Sequence, residues 1–240
     1  MRLIVYYLLF ISLFVISACG EKQELKNSTN VFSDYFYPID TVPKIYLYRD
    51  VTNGIDEKFH RIYIEKKSKN SRLVVDIYRT PGKGRLVVTE RLVYSIQNKS
   101  IVEHAVVDIN DELKPAKLVK NGLIPVRKNE ESLFASLYPG FRDSTYIYYE
   151  IKRKSDGNEI QHKVMGKDVS CIIFKDNVTQ AQRNLRTKKT DVMISTQSDN
   201  YFAQGYGLVE WYTTNKKAHY KLEKIISQKE WEEIINRYNY

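Results

Sequence analysis

The residues in this chain that could do chemistry are four histidines, two cysteines and one run of alternating side-chain oxygens. His60, His104, His162 and His219 fall in separate segments. None has the spacing of a helical zinc pair, and no Gly-x-Ser-x-Gly nucleophile turn occurs. Asp108-Ile109-Asn110-Asp111-Glu112 places oxygens at alternate positions, as calcium loops do. Such a loop needs glycine at its sixth position and glutamate at its twelfth. Leu113 and Val119 stand there, so the segment reads as a polar turn. Gly82-Lys83-Gly84 and Gly205-Tyr206-Gly207 open no helix and are not followed by Gly-Lys-Ser/Thr, so neither reads as a phosphate cradle. Cys171 shares a predicted strand face with Val169 and Ile173, where a thiol is an inert core residue. No catalytic residue, metal ligand or cofactor is assigned on this basis, and the ligand-binding residues are unassigned.

Cys19 has a different setting. Arg2 precedes an apolar run from Leu3 to Ile16, and the small residues Ser17 and Ala18 lead into Cys19-Gly20. A positive start, a short apolar stretch and a small-residue exit describe a secretory signal. The run is short for crossing a bilayer, which takes about 20 apolar residues. Ile16-Ser17-Ala18-Cys19 resembles the lipobox of bacterial lipoproteins. That resemblance implies diacylglycerol on the Cys19 thiol and cleavage just before it. It also implies attachment to the cell envelope, and Gly20 in place of aspartate implies transport to the outer membrane in a Gram-negative host. Residues 1–18 are then the signal and residues 19–30 a polar, lipidated tether, leaving 31–240 as one folded domain.

The elements that must position everything else read mainly as strands. Alternation marks Lys44–Arg49, Phe59–Glu65, Arg72–Tyr78, Arg85–Tyr94, Ile101–Ile109, Lys117–Val119, Thr145–Lys152, Ile160–Val164, Val169–Lys175, Asp191–Ser195, Tyr201–Tyr212 and Ala218–Ile226. Thr80–Gly84 is read as a hairpin turn, and Asp156-Gly157-Asn158 as the tip of a hairpin joining the Tyr146 and Ile160 strands. Gly205 and Gly207 are read as a bulge or sharp curve inside one strand. Thr179–Thr187, a weak helix candidate, is read as a loop. Ser227 with Glu230 makes a capping box for a C-terminal helix whose Trp231, Ile234, Ile235 and Tyr238 share a face. The pattern predicts a mainly β protein: an antiparallel sheet, as a curved open barrel or a sandwich, with one C-terminal α-helix. In outline this is similar to lipoprotein carriers of the Lol type, which close a curved sheet over an apolar interior. Around Gly205-Tyr206-Gly207-Leu208-Val209 the chain also resembles extracytoplasmic lipoproteins of unknown function.

The formal charge of +9 is spread over Lys66-Lys67, Lys69, Arg72, Lys152-Arg153-Lys154, Lys188-Lys189 and Lys216-Lys217. All lie at predicted strand ends, where basic side chains keep sheet edges from pairing with other chains. Several on one rim would suit an anionic ligand. An exported chain does not meet nucleic acid, and no nucleic-acid partner is expected. The expectation is a non-catalytic binding or carrier protein. It is held to the membrane by its N-terminal lipid and takes an apolar or anionic envelope ligand. The alternatives are an accessory subunit of an outer-membrane complex and an envelope hydrolase with an unrecognised site.

Overall fold

The computed structural model describes residues 30–52, 54–67, 70–79, 86–140, 144–214 and 218–238. The signal, Cys19, most of the tether, the Thr80–Gly84 turn and Lys69, Lys216 and Lys217 lie outside these residues.

Fourteen strands follow one another: β1 (Lys44–Asp50), β2 (Glu57–Lys67), β3 (Asn70–Arg79), β4 (Val87–Ser95), β5 (Ile101–Val107), β6 (Leu113–Pro115), β7 (Lys117–Asn121), β8 (Glu131–Pro139), β9 (Thr145–Lys154), β10 (Ile160–Val164), β11 (Lys167–Asn184), β12 (Thr190–Ala203), β13 (Gly207–Thr213) and β14 (His219–Ile226). A C-terminal helix, α1 (Gln228–Tyr238), completes the chain. The strands form one sheet in the order β6-β5-β4-β3-β2-β1-β14-β13-β12-β11-β9-β8-β7, with β10 beside β11. Every pairing is antiparallel, and the sheet curls into a nearly closed barrel with one seam. The two ends of the order, β6 and β7, are joined through Ala116. Its amide donates to the His104 carbonyl at 2.8 Å, so the seam is bridged covalently and by hydrogen bonding.

Side-chain alternation puts one face of each strand inside. Tyr46 and Tyr48 of β1 face the interior, where their hydroxyls donate to the carbonyls of Tyr206 (2.9 Å) and Leu208 (2.7 Å). Ile45, of opposite phase, faces outward and packs with Phe59, Ile226 and Trp231 beneath α1. Strand β1 is thus covered on both faces. The capping box forms as its residues predict: Ser227 N–H donates to Glu230 Oε2 at 2.9 Å, and Glu230 N–H to Ser227 Oγ at 3.3 Å. Trp231 fills the helix–sheet interface, 5.3 Å from the Phe59 ring and 4.9 Å from that of Tyr78.

The segment ahead of β1 plugs one end of the barrel. Phe32 meets Phe174 at 5.2 Å, Phe36 meets Tyr94 at 5.1 Å, and Tyr37 meets Tyr46 at 6.1 Å. Backbone bonds pin the plug, from Val31 N–H to the Val126 carbonyl and from Gly205 N–H to the Asp34 carbonyl.

Four local expectations need correction. Residues 155–159 do not join a hairpin: β9 and β10 pair successive stretches of the same long strand, β11. The polar loop lets the chain carry on along one neighbour instead of turning back. Gly205 lies between strands and Gly207 at the start of one. With φ of +74° Gly205 forms the turn between β12 and β13, and Gly207, with φ of +83°, opens β13. Thr179–Thr187 is a loop only in its last three residues: β11 runs to Asn184, held between β9 and β12, and 185–187 form the turn that follows. Strand β8 was not expected, because Phe134, Ala135 and Ser136 are buried in succession and the segment lacks a two-residue period.

Candidate functional site

Strand alternation turns a set of polar groups into the barrel among tyrosines. They line a half-open cavity of about 610 Å³. Its floor is the aromatic plug, through Phe36 and Tyr37. Its mouth is at the opposite strand ends, where Asp56, Lys58, Arg79 and Glu90 stand.

Arg153 of β9 is buried inside the barrel. In sequence it sits in Lys152-Arg153-Lys154, read as a solvated cluster at a strand end. That reading is corrected: Lys152 and Lys154 are exposed, while Arg153 has the phase of Tyr149 and Ile151, which line the same cavity. The phase of this segment was the available signal. Nε and Nη2 each donate to Asp176 of β11 at 2.7 Å, and the guanidinium lies 5.3 and 5.2 Å from the rings of Phe174 and Phe202. Burial works against the charged guanidinium, but the Asp176 carboxylate outweighs it and raises the Arg153 pKa. Among the described residues Nη1 has no hydrogen-bond partner. A bidentate carboxylate fixes one edge of the fork and leaves this donor buried on a residue that lines the cavity.

His60 of β2 is the second buried polar group. Burial first, and the nearby Lys58 charge second, push its pKa down to about 3, so it is neutral. Its ring lies 4.6 Å from Tyr48 and stacks on Trp211 at 5.9 Å, and its buried Nδ1 has no partner among the described residues. Lys58 Nζ stands 4.2 Å over the Tyr220 ring. Burial lowers the Lys58 pKa against the opposing pull of Asp56. Tyr37, Tyr94 and Tyr149 are held as neutral phenols, their pKa values raised mainly by burial.

The remaining histidines are not dispersed on the surface. His104 Nε2 lies 3.0 Å from Glu90 Oε1, and its Nδ1 lies 3.0 Å from Ser136 Oγ. The carboxylate can only accept, so Nε2–H donates to it and the serine hydroxyl donates to Nδ1. These are the residue types of a hydrolytic triad. Ser136, however, is fully buried and does not line the cavity. The chain ties β4, β5 and β8 together across the seam. His162 and His219 both meet Glu210, each at 2.7 Å, and Lys221 Nζ reaches the same carboxylate at 3.1 Å. Burial raises the Glu210 pKa, but hydrogen bonds from these three groups outweigh it and lower it overall. Sequence reading missed both clusters because their members are far apart in the chain. Among the described residues, no group of three or more His, Cys, Asp or Glu is arranged to hold a metal ion.

Cys171 is fully buried, and burial raises its thiol pKa to about 11. Asp108 Oδ1 accepts from the amides of Asn110 (2.8 Å) and Glu112 (3.0 Å), building a turn between β5 and β6. Tyr46 and Tyr48 of β1 face in, whereas Tyr146 of β9 is exposed.

No protein-family model and no curated protein matches the chain. Two solved structures resemble it. One is described as a "putative lipoprotein" from Parabacteroides distasonis, with TM-score 0.48 and 16% identity over 80% of this chain and 98% of that one. The other is described as a "putative exported protein with YmcC-like fold" from Bacteroides fragilis, with TM-score 0.41 and 13% identity over 80% and 99%.

Proposed function

We propose that the chain is a lipoprotein of the cell envelope, anchored through Cys19, whose barrel holds a ligand with an apolar body and an oxygen acceptor. The observation that carries this reading is Arg153, which lines the 610 Å³ cavity and whose buried Nη1 is a charged donor without a partner among the described residues. Leaving a buried donor unmade costs about 1–3 kcal/mol, and more for a charged group. A ligand oxygen recovers that cost, while Phe36, Leu92, Tyr94 and Phe202 cover the apolar part. Asp176 already balances the guanidinium, so the head group is a neutral acceptor or a single weak acid.

Native mass spectrometry of the mature protein, released gently from envelopes, tests the binding. The wild type should carry a bound mass, and the paired variant R153M/D176N should lose it while keeping its thermal transition. A wild type free of any adduct, and unshifted in melting by fatty acids or lysophospholipids, would overturn the proposal. Anchoring is tested separately by Cys19→Ala with labelled fatty acid, where incorporation should stop.

A further inference from the structure

We propose that the tip of the β11–β12 hairpin is a docking element for an anionic phospholipid surface. The tip extends the wall of the barrel at the mouth end. Val178 and Ser198 still line the cavity, and the hairpin continues about 20 Å beyond them at the usual strand rise. Leu185, Val192, Met193 and Ile194 are exposed there, at 53%, 64%, 46% and 46%. Tyr146, opposite Arg183 on β9, is 39% exposed beside them.

Two features select a lipid surface over a protein strand. Val192 pairs with Ala181 and Ile194 with Gln180, successive residues of β11, so these two apolar side chains face opposite sides of the hairpin. A partner strand or groove covers one side, whereas an interfacial lipid layer covers both. Among the described residues the edge of β12 is open here, since β13 pairs with it only from Ser198. A bulge also breaks its ladder: Gln180 pairs with Ile194 and Ala181 with Val192, leaving Met193 over. Bulged edges discourage strand addition.

Charge supplies the complement. Arg183, Arg186, Lys188 and Lys189 are exposed around the tip, with Asp191 as the one acid among residues 183–194. The turn is built to hold them: Asn184 Oδ1 accepts from the amides of Arg186 (2.9 Å) and Thr187 (3.1 Å). Leu185 N–H donates to the Ser144 carbonyl at 2.8 Å. Basic side chains around exposed apolar ones are what an anionic interface attracts.

The test uses the full lipid-anchored chain on vesicles, with a nitroxide on M193C and, as a second position, V192C. Cys171 is buried with a raised thiol pKa and stays unlabelled. The N-terminal anchor holds the protein to every vesicle, so the label reports the tip alone. On phosphatidylglycerol vesicles the nitroxide should lose exposure to a water-soluble nickel reagent by about fivefold relative to phosphatidylcholine, as expected for a charge-driven interface. R186E/K188E/K189E should abolish the difference. Equal exposure on both lipids would overturn the proposal. So would protection that follows protein concentration and not lipid charge, which would make the tip a protein interface.

Discussion

Arg153 and Asp176 depend on each other because both are buried and each is the other's counter-charge. Removing the carboxylate alone leaves a guanidinium uncompensated inside the barrel. Asp176→Asn should therefore cost about 3–5 kcal/mol in urea unfolding, far more than a surface pair of the same geometry. His60 carries the complementary lesson in its pH dependence. Its pKa is about 3 in the fold, against 6.5 for the ordinary side chain. The unfolded state thus binds the proton more readily, so this contribution to stability is complete above pH 6.5 and is lost as the pH falls toward 3. His60→Phe keeps the ring between Tyr48 and Trp211 and removes the titration. Its unfolding free energy, measured between pH 6.5 and 4, should fall less steeply than that of the wild type. Parallel slopes would show that another group carries the acid limb.

At the scale of elements, the two glycines of the β12–β13 turn separate strain from packing. Gly205 has φ of +74° and open space where a Cβ would go. Gly205→Ala should cost about 1–2 kcal/mol, the penalty of a left-handed residue. Gly207 has φ of +83°, and its Cβ would lie 2.4 Å from the buried Tyr37 ring. Gly207→Ala adds overpacking of about 1–3 kcal/mol to the same strain. Equal losses in thermal unfolding would mean that the plug yields freely. Strands with one wet face were legible from alternation, and α1 from its capping box. Strand β8 was hidden because burial on both faces erases the period. The partners of β9 and β10 were hidden because short-range turn chemistry at Asp156-Gly157-Asn158 says nothing about a third strand arriving later. Arg153 was hidden by the lysines on either side of it.

For the whole molecule, the curved antiparallel sheet and the terminal helix follow from local pattern, whereas the cavity does not. The cavity arises only when strands far apart in the chain bring Lys58, Arg153 and Trp211 to one interior. The same holds for closure. Strand β1 pairs with β14, and the plug of Phe32 to Tyr37 rests on residues from β11 to β13. These contacts join the first folded residues to nearly the last, and such high contact order slows folding. The N-terminal part emerges first during synthesis yet finds its partners last. Until Ile226 is present, the chain has no β14 for β1 to join and exposes that edge, together with the tyrosines meant for the interior. Ending the chain before His219 should leave an open sheet that binds a hydrophobic dye and is cut rapidly by protease. Residence as an unfinished sheet, and not the strength of the finished barrel, is then the interval in which this protein is most exposed to aggregation.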